Sequence, residues 1–308
     1  MDVVSIIGNA KNAGKTTVLN HLLKMYDNNT IAISSIGMDG EPLDNVSFLP
    51  KPQINLKPGF LVATAEKFLE TATIGGKTLK RTDMSTPFGN IVVAKATKPG
   101  KILVAGPSSV SDMEKIVRIF KEFGSHKNFI DGAFSRQSTA NLADGTILVS
   151  GANRSPILDV VVDDTKKIID RLSIPKSDSI LKSKNDWQKT EIFDREGNSI
   201  GTCESSAIMD FQSVLGMVAP GVKYLYVPGA VTADFVRRFM KTPNSSGVRL
   251  VVFSPTNLIA DELVDVFPKP MENRIQAVRP VNLFALCYNP FSPAGYVFEE
   301  KEFREKLQ

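Results

Sequence analysis

Apolar positions along this chain fall into two rhythms, short near-continuous runs and longer stretches with a three-to-four residue period. The runs predict strands at residues 5–8, 30–36, 60–64, 91–95, 102–105, 129–133 and 146–151. Helical spacing of Met113, Ile116, Val117, Ile119, Phe120 and Phe123 predicts a helix over 112–123, with Ser111 placed to cap its start and Gly124 to end it. A further helix is expected from about 156 to 172, with Pro156 near its first turn. Strand and helix alternate through this half, which implies a mostly parallel sheet with helices on both faces.

Two interruptions break the alternation. Residues 42–58 are rich in Pro, Asn and Lys and read as an extended excursion. The strands on either side of Lys98-Pro99-Gly100 suggest an antiparallel insertion or hairpin, and Gly75-Gly76-Lys77-Thr78 reads as a hairpin loop because the charged residues after it do not continue as an apolar helix. Residues 173–190 are polar and form a candidate linker. Beyond them a hairpin is expected around Gly197-Asn198, then strands at 223–227, 248–253 and 283–288 with helices at 232–240 and about 258–266. The expected class is therefore α/β. From the junction at residues 5–23, set out next, residues 1–172 are expected to form a P-loop NTPase core with a mostly parallel sheet and a β-hairpin insertion at about 42–100, and a second α/β unit, a separate domain or a sheet extension, is expected over 191–308.

The core assignment rests on one junction. Ser5-Ile6-Ile7-Gly8 runs into Asn9-Ala10-Lys11-Asn12-Ala13-Gly14-Lys15-Thr16-Thr17 and then into the helical pattern Val18-Leu19-Asn20-His21-Leu22-Leu23. Strand, flexible loop and helix in succession make a phosphate cradle, because successive N–H groups turn inward and the helix dipole favours an anion. Gly14 gives close backbone approach, Lys15 is the point charge for the β- and γ-phosphates, the Thr16 hydroxyl is placed to hold Mg²⁺, and Thr17 stands behind it. The spacing departs from G-x-x-x-x-G-K-[ST]. Asn9 stands where the first glycine belongs and Gly8 lies one place early. Asn tolerates a left-handed turn, which keeps the loop feasible. All of residues Asn9, Ala10, Lys11, Asn12, Ala13, Gly14, Lys15, Thr16 and Thr17 are candidate nucleotide contacts.

A nucleotide hydrolase also needs carboxylates at strand ends facing that loop. Asp131, ending a predicted strand before Gly132, is a candidate for Mg²⁺ binding and catalysis, with a turn-capping carboxylate as the plain reading beside it. Asp39, with Glu41, follows the second strand where a switch-like loop could feel the γ-phosphate. Arg136 and Gly106-Pro107-Ser108-Ser109 are further candidates for phosphate contacts, each with a plain surface or turn reading beside it. Asn289-Pro290-Phe291-Ser292-Pro293 makes a rigid loop for packing, for a partner or for a nucleotide base.

Composition narrows the alternatives. With 308 residues, 42% hydrophobic and 23% charged, the chain carries a real core and is not of the disordered class. A net charge of +4 without a basic run interleaved with aromatics argues against nucleic-acid binding. Cys203 and Cys287, with only His21 and His126, have no metal-ligand spacing. No apolar run reaches the roughly 20 residues that span a bilayer. The sequence opens directly on the loop strand, so no membrane contact and a cytoplasmic location are expected.

Four segments, Val4 through Asn20, Ile130-Asp131-Gly132-Ala133-Phe134-Ser135-Arg136, Thr146 through Ala152, and Asn289 through Tyr296, together resemble the B subunit of the lysine 5,6-aminomutase reactivase. That resemblance spans nearly the whole chain and implies a component that restores an adenosylcobalamin-dependent aminomutase, acting with a partner ATPase subunit and using ATP (or GTP) with Mg²⁺. Whether the chain is itself a Mg²⁺-dependent NTPase stays open. The competing class is an ATP-dependent small-molecule kinase or ligase, for which residues 191–308 would have to supply a second substrate pocket.

Overall fold

Strands buried on both faces must be apolar throughout, and that is how the chain's central strands read. The computed structural model describes residues 2–26, 30–36, 53–132, 140, 142–177, 187–259 and 274–307. These fall into two units, one of residues 1–165 with 283–308 and one of residues 166–282.

In the first unit, β1 (Val3–Gly8), β2 (Ile31–Ser35), β3 (Ile54–Leu56), β4 (Leu61–Ala65), β5 (Lys77–Thr86), β6 (Gly89–Lys95), β7 (Gly100–Ile102), β8 (Lys127–Asp131) and β9 (Gly145–Gly151) precede the second unit. The helices here are α1 (Lys15–Lys24), α2 (Glu66–Glu70), α3 (Val110–Glu122) and α4 (Leu158–Leu172). After the second unit come β17 (Leu283–Asn289) and α7 (Glu300–Leu307). An eight-stranded sheet runs β17-β9-β1-β8-β2-β4-β6-β5. The first six of these strands are parallel, and the β5–β6 hairpin adds antiparallel to β4. Every residue of β1, β2, β4 and β9 is buried. Leu19 and Leu23 of α1 pack with Ile6, Ile33 and Phe129 on one face, while Met113, Ile116 and Phe120 of α3 pack with Ala32, Ala63 and Ile130 on the other.

The second unit holds β10 (Thr190–Phe193), β11 (Ser199–Cys203), β12 (Tyr224–Val227), β13 (Val231–Thr232), β14 (Arg249–Val252), β15 (Leu258–Ile259) and β16 (Ile275–Ala277), with α5 (Phe211–Gly216) and α6 (Ala233–Lys241). Its sheet runs β11-β10-β12-β14-β16, with β12, β14 and β16 parallel. The β10–β11 hairpin turns at Gly197, whose φ of +86° suits glycine. The whole is mixed α/β with mostly parallel sheets and seven helices among the described residues.

Several boundaries differ from the sequence expectation, each for a physical reason. Gly75-Gly76 is not a hairpin loop but leads into β5, and the chain reverses between Thr86 and Gly89. β5 carries Lys77, Lys80, Arg81 and Asp83 because it is an edge strand, where charge is tolerated and discourages foreign pairing. Ser109, not Ser111, caps α3 by accepting from the Asp112 N–H. The expected helix at 258–266 opens instead as β15, paired parallel to β13, and its remainder lies outside the described residues. The units divide at 165/166 and 282/283, where the sequence expectation places a core at 1–172 and a domain or sheet extension at 191–308. Residues 166–172 of α4 belong to the second unit, and 283–308 rejoin the first, where β17 extends the large sheet beside β9 and turns Ala285 and Cys287 to its core.

Leu19 is completely buried under the sheet. Leu19→Ala is expected to lower unfolding free energy by about 3 kcal/mol in urea titrations of the full chain, the usual cost of a core cavity. A change below about 1 kcal/mol would contradict its place in the core.

Candidate functional site

Open parallel sheets bind ligands beyond the carboxyl ends of their strands, where chain connections leave in opposite directions. β1 is such a point. Its chain continues through α1 to β2 on one side, with β8 inserted between, while β9 lies on its other side. Gly14, Lys15, Thr16 and Asp131 lie at this end.

The loop after β1 is held from below by Asn9. Its backbone N–H donates to the Val149 carbonyl (3.0 Å), and its side-chain oxygen accepts from the Gly151 N–H (2.9 Å). Its amide nitrogen donates to Ser150 Oγ (3.2 Å) and Thr165 Oγ1 (3.4 Å), and those hydroxyls are 2.7 Å apart. All three side chains are fully buried. The left-handed turn expected at Asn9 is instead made at Asn12 (φ +56°) and Gly14 (φ +107°). Asn9 therefore acts as a tether, which explains how a residue other than glycine serves there. Ala13 is buried against Gly151, where an added Cβ would come within 2.5 Å of the Ala13 Cα. Only glycine at 151 lets β9 and the loop approach this closely.

Above the tether, Lys15 folds back over Gly8, its Cγ and Cδ each 3.3 Å from where a Gly8 Cβ would lie. Gly8, off register in the motif, thus serves by giving room to the lysine stem. α1 begins at Lys15 with no side-chain cap at Gly14 and no acidic residue in its first turn. α3, α5 and α6 are capped by Ser109, Asp210 and Thr232. The α1 start thus presents helix-end donors and positive dipole with no capping side chain or first-turn acid of its own.

Asp131 closes the arrangement from the end of β8. Its Oδ2 accepts from the Thr16 hydroxyl at 3.5 Å, while its Oδ1 is buried and has no hydrogen-bond partner among the described residues. Burial pushes the Asp131 carboxyl above the ordinary carboxylate range, and the Lys15 charge and the Thr16 hydroxyl only partly offset this.

A wall rises on the β9 and β17 side. Asn153 Nδ2 donates to the Lys11 carbonyl (2.9 Å), and its side-chain oxygen accepts from the Ser292 hydroxyl (3.3 Å). The Tyr296 hydroxyl donates to the Ala152 carbonyl (2.7 Å). Asn289, at the end of β17, lies against Gly14, its Nδ2 3.4 Å from where a Gly14 Cβ would stand.

Of the sequence candidates, the structure brings together Gly14, Lys15, Thr16 and Asp131, with Asn9, Ala10 and Ala13 buried beneath them and Lys11 and Thr17 exposed. Asp39, Glu41 and Arg136 lie outside the described residues. Gly106 and Ser109 serve structure. The Gly106 N–H donates to Ser35 Oγ (3.1 Å), and an added Cβ there would strike the Ser35 carbonyl, while Ser109 is the α3 cap. His21 sits exposed on α1. Ser150, Asn153 and Thr165 are missed by sequence reasoning, because no local spacing links residues 141 to 156 positions apart. Among the described residues no group of three His, Cys, Asp or Glu forms a metal cluster.

Asn9→Ala is expected to cost about 1–3 kcal/mol, since it strands the Gly151 N–H and removes a donor from two buried hydroxyls. Urea denaturation measures it, and a loss within error would overturn the tether. Asp131 yields a pH signature in the chelated, metal-free protein. Its proton leaves at higher pH in the folded chain than in the unfolded one. The fold therefore keeps its full stability in acid, below the unfolded value, and loses part of it as pH rises through the folded value. Asp131→Asn is expected to raise the melting temperature at neutral pH and to leave it unaltered in acid, and equal melting curves at both would refute the burial effect. Comparison with protein-family models, curated proteins and solved structures finds no match for this chain, so the reading of the site rests on its geometry.

Proposed function

We propose that the first unit is a P-loop nucleotide-binding core that binds ATP, or GTP, with Mg²⁺ at the loop between β1 and α1. The observation that carries the reading is the buried, unpartnered Oδ1 of Asp131 beside the Thr16 hydroxyl. A sealed carboxylate oxygen without a donor is costly, and a hard divalent cation is the partner that two such oxygens would hold together. Thr16 and Asp131 are thus the residues to bind Mg²⁺. The chemistry the cation supplies, when bound, is neutralisation of charge on phosphoryl oxygens. Lys15 adds a mobile positive charge over Gly8, and the uncapped start of α1 adds fixed dipoles. Asn9 and Gly151 keep the loop in place, so binding costs little rearrangement.

The biological role we infer is a switch. The resemblance to the B subunit of the lysine 5,6-aminomutase reactivase favours a component that, with a partner ATPase, helps an adenosylcobalamin-dependent aminomutase exchange damaged cofactor. A nucleotide shifts such an equilibrium only as far as its affinities for the two states differ, so Asp131, Asp39 and Glu41 are the residues proposed to discriminate the γ-phosphate.

The test is calorimetric binding and steady-state hydrolysis of Mg·ATP and Mg·GTP by the purified chain, alone and with the aminomutase and partner ATPase. Lys15→Ala is expected to weaken binding roughly 10- to 100-fold, the worth of a charged hydrogen bond. Asp131→Asn should retain nucleotide and flatten the Mg²⁺ dependence. Unchanged affinity in Lys15→Ala removes the phosphate-loop reading. Turnover that needs a small-molecule acceptor and no protein partner would replace the switch with a kinase or ligase.

A further inference from the structure

We infer that the turn between β17 and α7 is the nucleoside subsite of this loop, with Phe291 as the stacking surface for a purine base and Asn289 as the donor beneath it. The inference rests on the nucleotide reading above and adds where the non-phosphate half is held.

Topology brings the two together. In the order β17-β9-β1, Asn289 pairs in register with Gly151, and Gly151 is the residue pressed against Ala13 of the loop. The last residue of β17 therefore stands level with Gly14, where α1 begins. Its side chain is oriented by its own turn. The Phe291 N–H donates to Asn289 Oδ1 at 3.2 Å, which directs Nδ2 towards Gly14. No described residue accepts from that Nδ2, so a hydrogen-bond donor faces the loop without a protein acceptor.

Phe291 follows within about 7 Å along the chain, two extended residues on. It is 63% exposed, unusual for phenylalanine, and it is held on a stiff frame. Prolines precede it and follow Ser292. Phe291 bridges Val297, the Ser292 N–H donates to the Tyr296 carbonyl (3.0 Å), and the Phe298 N–H donates to the Pro290 carbonyl (3.0 Å). The turn is also fastened to the loop itself, through Ser292 to Asn153 and from Asn153 to the Lys11 carbonyl. An exposed ring on a preorganised turn, beside a part-exposed amide donor, suits a flat heteroaromatic ligand with acceptor edges, because stacking needs little new ordering of the protein. A purine nucleotide offers a flat face to Phe291; inorganic polyphosphate has none.

That contrast makes the test. Binding of Mg·ATP, Mg·GTP and Mg·tripolyphosphate to the full chain is compared by calorimetry for wild type, Phe291→Ala, Phe291→Tyr and Lys15→Ala, with melting curves to show that each variant is folded. Phe291→Ala is expected to weaken both nucleotides roughly 5- to 100-fold, the range of one base–aromatic stack, and to leave tripolyphosphate affinity as in wild type. Phe291→Tyr should restore nucleotide binding, and Lys15→Ala should weaken all three ligands. Nucleotide affinity unaltered in Phe291→Ala, or an equal loss for tripolyphosphate, overturns the subsite while leaving the phosphate loop standing. Failure of wild type to bind any of the three removes both.

Discussion

A single buried amide holds the loop between β1 and α1 to its two neighbouring elements. Asn9 uses its oxygen on the Gly151 N–H and its nitrogen on two hydroxyls, one on β9 and one on α4. Each of these groups is sealed from water, so each bond must be made inside the protein or the desolvation cost stands. Satisfying all of them at once fixes the start of the loop relative to both neighbouring elements. The left-handed residues at 12 and 14 and the lysine stem over Gly8 are built on a base that cannot drift.

Asp131 is the opposite case. Where Asn9 is fully satisfied, Asp131 keeps one oxygen buried and unpartnered, and its carboxyl holds its proton more tightly than an exposed one. Local conflict of this kind, in a fold otherwise consistent with its sequence, concentrates at sites where something else is to be bound. A tether with no deficit and a carboxylate with one divide the work between holding the loop and keeping an acceptor in reserve.

Much of this was legible from the sequence, for reasons that differ by residue. The loop strand and its helix were readable because their apolar period changes abruptly from continuous to helical across Gly14-Lys15-Thr16. The place of Asp131 at a strand end was readable because it terminates an apolar run before Gly132, a pattern that a turn-capping carboxylate shares. The misplaced elements share another cause. β5 carries charge because it is an edge, β17 serves the first sheet because of a register with β9, and Asn9 is a tether because of partners over 140 residues away. These are properties of assembly, and local propensity does not contain them.

The position of β17 bears on how the chain is made. The second unit is one continuous segment, so all of its strands and helices leave the ribosome before residue 283 does. The first unit is not; its large sheet lacks an outer strand, and the loop lacks Asn289, until residues 283–289 emerge. During synthesis the earlier strands must wait with β9 as a temporary open edge, and closing it requires contact across more than a hundred intervening residues, the kind of pairing that slows folding. The surroundings of Gly14 are thus completed only after the whole second unit has been made, and a polypeptide released before residue 289 would carry the loop and Asn153 but not Asn289, Ser292 or Tyr296.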